Sequence, residues 1–183
     1  MQNLKSPIRK EKIDARRKLH ADDWQRLSAQ VVEHMKSLLK TSASPVAIYY
    51  PVHGEVDVLP LMQYADTCLP VMQANSKELV FRKTSPGQHL EKNIHGIMQP
   101  VESAPPCEPG VIIVPVVAFD RRRFRIGYGG GYYDTTLAFL RKKKKITVIG
   151  AAFSFQEVPS IPVEPFDAKL DMIITEKEVI KPA

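Results

Sequence analysis

The chain has 183 residues, of which 44% are apolar, a formal net charge of +6 and two cysteines. A chain of that length suits one compact domain, residues 1–183, and buries roughly 70% of its unfolded surface, so it needs neither disulfides nor a metal to fold. Cys68 and Cys107 match no zinc spacing and read as free thiols of a reducing compartment. No apolar run approaches the roughly 20 residues of a membrane span. The charged N-terminus lacks the apolar block of a signal peptide, so a cytoplasmic protein with no membrane partner is expected.

In chain order, Ser6-Pro7 reads as a helix start, serine as N-cap and proline at the first helical position, with the helix running to about Leu19. Asp22 reads as a second cap, and Trp24, Leu27, Val31, Met35 and Leu38 recur at helical spacing to about Lys40. Pro45–Tyr50 is a short buried strand. Asp57–Asp66 is read as a helix, Leu69–Gln73 and Leu79–Lys83 as strands, and 85–109 as loops with an edge strand at Gly96–Gln99. Val111–Pro115 is the clearest buried strand, followed by a loop over Val116–Gly131 and a helix over Tyr132–Leu140. Ile146–Phe153 and Leu170–Thr175 are further strands, and Glu176–Ile180 a terminal helix or tail. Strands alternating with helices imply a mostly parallel sheet.

The most chemistry lies in Arg125-Ile-Gly-Tyr-Gly-Gly-Gly-Tyr-Tyr-Asp134. Four glycines in five positions let backbone N–H groups turn toward one point, and the helix start behind them adds its dipole. Phosphate oxygens suit such a loop, and Arg125 offers charged donors. A tight turn without a ligand is the alternative. Neither a P-loop nor a dinucleotide fingerprint is present, because no Lys-Ser or Lys-Thr follows and Tyr132 stands where a third glycine is needed. Asp134, in the first helical turn, is either a dipole-stabilised carboxylate or a magnesium ligand. At the other end of the chain, Lys5, Arg9, Lys10 and Lys12 crowd a helix start, where each cation opposes the dipole at about 0.3–1 kcal/mol. A bound polyphosphate would reverse that cost; a salt-screened terminus would make it negligible.

Two further stretches complete a pattern: Val114-Pro-Val-Val-Ala-Phe-Asp120, and Tyr49-Tyr-Pro51 with Glu55. With Lys5-Ser-Pro-Ile-Arg9 and the glycine segment, the chain resembles the 5-formyltetrahydrofolate cyclo-ligase family, also called methenyltetrahydrofolate synthetase, from about Lys5 to Thr175. The resemblance implies an α/β three-layer sandwich around a mostly parallel sheet, with an N-terminal helical segment packed on it. It implies ATP-driven closure of 5-formyltetrahydrofolate to 5,10-methenyltetrahydrofolate, with ADP and phosphate released. It places ATP on Lys5, Arg9, Arg125, Ile126, Gly127, Tyr128, Gly129, Gly130, Gly131, Tyr132 and Tyr133. The folate falls to Tyr50 and Glu55 together with the shared stretch Tyr128–Tyr132, and Mg²⁺ to Asp134 and Asp167. Three departures stand out. Arg121–Arg123 fills a turn where many members carry glycine, Gly130 stands where some carry lysine, and Phe166 stands where many carry histidine.

The implied partners, ATP and a folate that can be polyglutamylated, are among the anions that a net charge of +6 suits; a solvated basic surface is the alternative. A monomer or weak homodimer is expected. A non-catalytic regulator binding ATP or folate on the same fold is the alternative reading. A nucleic-acid binder is disfavoured, since Arg121–Arg123 and Lys142–Lys145 belong to no reading motif and the latter follows a helix end that favours cations. His20, His34, His53, His89 and His95 show no metal spacing.

Overall fold

The computed structural model describes residues 4–40 and 43–182. Helix α1 spans Lys5–Arg17 and α2 spans Ala21–Leu39. Both start earlier than the capping signals suggested. Leu4 is the N-cap of α1, without a side-chain cap, and Ser6-Pro7 lies inside the first turn. Proline costs little there, because first-turn N–H groups have no intrahelical partner. His20 is the N-cap of α2, and Asp22 and Asp23 sit in its first turn, where the dipole favours them.

The strands are β1 (Val46–Ala47), β2 (Thr67–Gln73), β3 (Ser76–Thr84), β4 (Leu90–Lys92), β5 (Met98–Pro100), β6 (Val111–Pro115), β7 (Ala118–Phe119), β8 (Arg125–Ile126), β9 (Thr147–Ala151), β10 (Met172–Ile174) and β11 (Val179–Ile180). A seven-stranded sheet runs β11-β10-β9-β6-β1-β2-β3. Its inner strands pair in parallel, and β3 and β11 close the two edges antiparallel. Alternation along the strands sorts the core into two layers. Ile113, Ile149 and Ile174 pack with Val31, Val32 and Met35 of α2, whereas Ile112, Val114, Val148 and Ile173 pack with Leu137 of α3 (Tyr132–Lys143). Helices therefore cover both faces, giving the three layers, while Ile8 and Ile13 of α1 pack on Ala118 and Ile126 of the β7–β8 ribbon.

Several segments differ from the sequence reading, among them 85–109, whose expected loops carry the antiparallel β4–β5 ribbon. The helix expected over Asp57–Asp66 is a single 3-10 turn, Leu59–Gln63, started by the Leu59 N–H on Asp57 Oδ1 at 3.0 Å. Pro60 falls in its first turn, and Val58 and Leu61 are drawn into the core. The segment Val116–Gly131 contains the β7–β8 ribbon, whose two-residue strands are too short to show a period. The terminal helix or tail is strand β11, turned back on β10 by Thr175, whose hydroxyl accepts the Lys177 and Glu178 N–H groups.

From β1 the chain moves to β2 on one side and later to β6 on the other. The order reverses between β1 and β6, and a crevice opens beyond their carboxyl ends. The segment 48–55 follows β1, and 116–131 follows β6, so both candidate stretches meet there.

Candidate active site

Helix α1 borders the crevice with cations spaced 4, 3 and 4 residues apart, which places Lys5, Arg9, Lys12 and Arg16 on one face. All four turn into the body of the protein. Lys5 Nζ lies 2.5 Å from Asp167 Oδ2 and 2.8 Å from Glu164 Oε2. Arg9 Nε donates to the Gly127 carbonyl at 2.8 Å, and Lys12 Nζ to the Phe155 carbonyl at 3.0 Å. Arg16, 2% exposed, donates through Nη1 to the Val116 carbonyl at 3.3 Å and through Nη2 to the Tyr128 hydroxyl.

The glycine loop connects β8 to α3. Gly129 and Gly131 have φ of 100° and 78°, values that side chains with a Cβ rarely adopt, and Gly131 is the N-cap of α3. A Cβ on Gly129 would stand 3.5 Å from Arg9 Nη2, an ordinary contact distance, so the constraint there is the backbone angle and not space. Thr136 Oγ1 donates to the Tyr132 carbonyl at 2.7 Å and accepts the Leu79 N–H at 2.8 Å, tying the first turn of α3 to β3. Cations and the positive end of α3 thus converge on one loop, a setting for an anion carrying several charges.

Arg125, 7% exposed, reaches Asp134 Oδ1 at 3.1 Å, and the same oxygen accepts the Ala168 N–H at 3.3 Å. Its Nε has no partner. The Ala168 contact brings the turn bearing Asp167 to the first turn of α3, so the two candidate metal carboxylates come to one edge of the loop. Each is paired with a cation, Asp134 with Arg125 and Asp167 with Lys5. Among the described residues no cluster of three or more His, Cys, Asp or Glu side chains gathers to hold a metal. Two carboxylates beside a loop built to attract an anion fit Mg²⁺, which takes few protein ligands and completes its shell with phosphate and water.

On the other side of the crevice, Glu55 is 3% exposed. Its Oε2 accepts the Val52 N–H at 2.9 Å, and its main-chain carbonyl accepts the Trp24 indole N–H at 2.7 Å. Burial pushes the Glu55 carboxyl up to about 7, although the Val52 N–H, the Arg16 charge and the Tyr128 hydroxyl each pull it back. Burial likewise pushes the Tyr128 phenol up to about 12, with the Glu55 charge adding to the rise. The His53 ring lies 5.9 Å from that of Tyr128. A cavity of about 380 Å³ is bounded by Arg16, Arg17, Leu19, Trp24, His53 and Gly54, so the Arg16 side chain and the turn ahead of Glu55 share it.

Not every residue of the candidate set projects into the crevice. Ile126 is buried against α1 and its carbonyl is taken by the Val117 N–H, at 2.8 Å. Tyr133 packs on the α3 side of the core beneath the Arg125 guanidinium, 5.8 Å from its ring centroid. Tyr50 is half-buried against the α2 side of the core. Arg16 and Trp24 contact the site and were not singled out as site residues from the sequence, although Lys12 and Trp24 were named there for other reasons. The signal for Arg16 was the helical spacing of the cations.

The chain matches the model of the 5-formyltetrahydrofolate cyclo-ligase family over residues 1–176. It is 32% identical to a 5-formyltetrahydrofolate cyclo-ligase of Haemophilus influenzae, covering 92% of this chain and 94% of that protein. It is 31% identical to the enzyme of the same name from Escherichia coli K12, covering 90% and 96%. The solution structure of Aquifex aeolicus 5,10-methenyltetrahydrofolate synthetase superposes with a TM-score of 0.81 at 35% identity, over 97% of this chain and 92% of that one. A 5,10-methenyltetrahydrofolate synthetase from Mycoplasma pneumoniae shares the fold, with a TM-score of 0.74 at 22% identity.

Proposed function

The chain belongs to the 5-formyltetrahydrofolate cyclo-ligase family, and on that footing we propose how its crevice carries out the reaction. The enzyme converts 5-formyltetrahydrofolate to 5,10-methenyltetrahydrofolate. Hydroxide is a poor leaving group from a formyl carbon at neutral pH, so the oxygen must first be activated, and ATP is the activating substrate. The formyl oxygen attacks the γ-phosphorus, and the bond to the bridging oxygen breaks to release ADP. N10 then attacks the activated carbon and loses its proton, the C–O bond breaks, and phosphate leaves with the electron pair.

Phosphoryl transfer asks the protein mainly for position and charge neutralisation. The observation that carries the reading is the convergence of Arg9 on the glycine loop at the N-terminus of α3, since Arg9 Nε holds the Gly127 carbonyl at 2.8 Å. Lys5, Arg9, Arg125 and the amides of Gly127–Tyr133 bind the triphosphate. Asp134 and Asp167 would hold Mg²⁺, which supplies further neutralisation of phosphate charge. Across the crevice, Glu55 accepts N–H groups of the pterin, with Tyr50 and the Tyr128–Tyr132 stretch completing the folate subsite. Residues 1–183 act as one catalytic domain in the cytoplasm.

Mixing the protein with 5-formyltetrahydrofolate and Mg-ATP is expected to produce the near-ultraviolet absorbance of the methenyl product. Binding of both substrates without that rise would instead identify a regulator. Calorimetry with ATP alone tests the phosphate subsite, and no heat of binding would remove it.

A further inference from the structure

Arg16 is the largest of the fully buried side chains, and neither the sequence motif nor the phosphate subsite uses it. Burying a guanidinium costs several kcal/mol unless compensated, on the order of the penalty for any buried ion. Its hydrogen-bonding partners are neutral oxygens, the Val116 carbonyl and the Tyr128 hydroxyl, and its Nε has none. The Tyr128 hydroxyl accepts from Arg16, so its own proton remains for another acceptor, and the phenol lies close enough to Glu55 for each to feel the other. A buried cation, a phenol and a buried carboxyl therefore lie together.

We propose that Arg16 is a positioning residue for the folate subsite: it holds the Tyr128 hydroxyl beside Glu55 and, as the buried cation nearby, favours the ionised form of Glu55 that accepts pterin N–H groups. The inference rests on the reading of Glu55 as a folate ligand. The arrangement is self-consistent, because ionised Glu55 is also the nearby negative charge that Arg16 needs. The other charged or titratable groups around Glu55 are Tyr49 from the chain after β1, Tyr133 from α3, His53 and Asp57 from its own loop. None of the three tyrosines is ionised near neutrality, since burial raises each phenol. Among these groups Arg16 is the fixed cation.

The test is the pH profile of kcat/KM for 5-formyltetrahydrofolate at saturating Mg-ATP, for wild type, Arg16→Met and Tyr128→Phe. Loss of an opposite charge at close range moves a carboxyl by about one unit or more. The acid limb is expected to move alkaline by about that amount in Arg16→Met, with roughly tenfold lower kcat/KM at pH 7 and recovery by pH 9. Tyr128→Phe, at a half-exposed position, should move the limb the same way by less. Arg16→Lys, which keeps the charge, should restore most of the wild-type profile. A uniform loss at every pH would make Arg16 a structural clamp of α1 and overturn the proposal, as would unmoved limbs in both variants. A carbon-13 titration of the Glu55 carboxyl, assigned against Glu55→Gln, reads the same coupling without turnover. If Glu55→Gln leaves the folate KM unchanged, the folate reading of Glu55 fails. The titration still decides whether Arg16 holds that group ionised.

Discussion

Lys5 Nζ stands 2.5 Å from Asp167 Oδ2, joining the first residue of α1 to a turn 162 residues later in the chain. Burial alone would lower the Lys5 pKa, but the hydrogen bonds and charges of Asp167 and Glu164 raise it, so the ammonium is held charged. The pair places a cation and a candidate metal carboxylate at the same edge of the glycine loop. On the proposed phosphate role of Lys5, Lys5→Met is expected to remove one charge-assisted contact, worth about 1.5–3 kcal/mol, or roughly 10–100-fold in the KM for ATP. The KM for the folate should change much less. Steady-state kinetics with each substrate varied in turn checks this, and equal changes in both would move Lys5 out of the phosphate subsite.

Glu55 carries a stability cost whose sign is fixed by its environment. Its carboxyl is raised from 4.5 to about 7 by burial, with partial relief from the Val52 N–H, Arg16 and Tyr128. Between those two values the unfolded chain has released a proton that the folded chain still holds. The folded state therefore loses stability as pH rises through that window, by about 3 kcal/mol in all. Glu55→Gln cannot ionise and keeps an acceptor for Val52. It should match wild type near pH 4.5 and exceed it by about 1–3 kcal/mol at pH 8, while raising the folate KM. Urea denaturation at the two pH values measures the difference. Parallel pH dependence of wild type and variant would contradict the burial argument.

The loop glycines differ in what they tolerate. Gly129 has φ of 100°, and a Cβ there would also lie 3.5 Å from the Arg9 guanidinium. Gly130 has no such φ, and its Cβ would press at 2.9 Å on the Tyr132 ring, which can swing aside. Gly129→Ala should cost about 1–3 kcal/mol in backbone strain and raise the ATP KM as the loop backbone shifts to relieve it. Gly130→Ala should be the milder change in both stability and KM. Thermal melts and ATP titrations of the two variants rank them, and the reverse ranking would refute the loop geometry.

The parallel sheet was legible because its inner strands are buried on both faces and read as unbroken apolar runs, as in Val111–Pro115. The glycine loop was legible because its composition has few structural uses. What stayed hidden was set by distance in sequence. Arg16 and Glu55 lie on different elements, and only the fold brings both to Tyr128. The cation stripe of α1 was present in the spacing, but a helix start crowded with Lys and Arg draws the eye to the dipole and away from the period. The 3-10 turn at Leu59–Gln63 and strand β11 escaped because side-chain contacts to the backbone, from Asp57 and Thr175, decided them locally. The departure at Arg121–Arg123 proved a defined turn, with Arg123 at φ 70°.

That turn is organised by Asp120, which is fully buried. Its carboxylate accepts the N–H groups of Arg122 at 3.0 Å, Phe124 at 3.3 Å and Ile161 at 2.9 Å, and the Arg122 guanidinium at 2.6 Å. Asp120 therefore shapes the β7–β8 ribbon that carries Arg125 and touches neither the glycine loop nor Glu55 through any of these bonds. Asp120→Ala strands several buried donors and should destabilise by about 3–5 kcal/mol, lowering Tm by roughly 10 °C in a chain of this size. Arg123→Gly relieves a left-handed side-chain residue, an expected gain of about 1–2 kcal/mol, against the loss of a 3.3 Å contact from Arg123 Nε to the Leu170 carbonyl. Its Tm should be no lower than that of wild type. Calorimetric melts of the two variants decide the point: a mild Asp120→Ala or a markedly unstable Arg123→Gly would mean that the ribbon is held by the arginine run and not by the buried carboxylate.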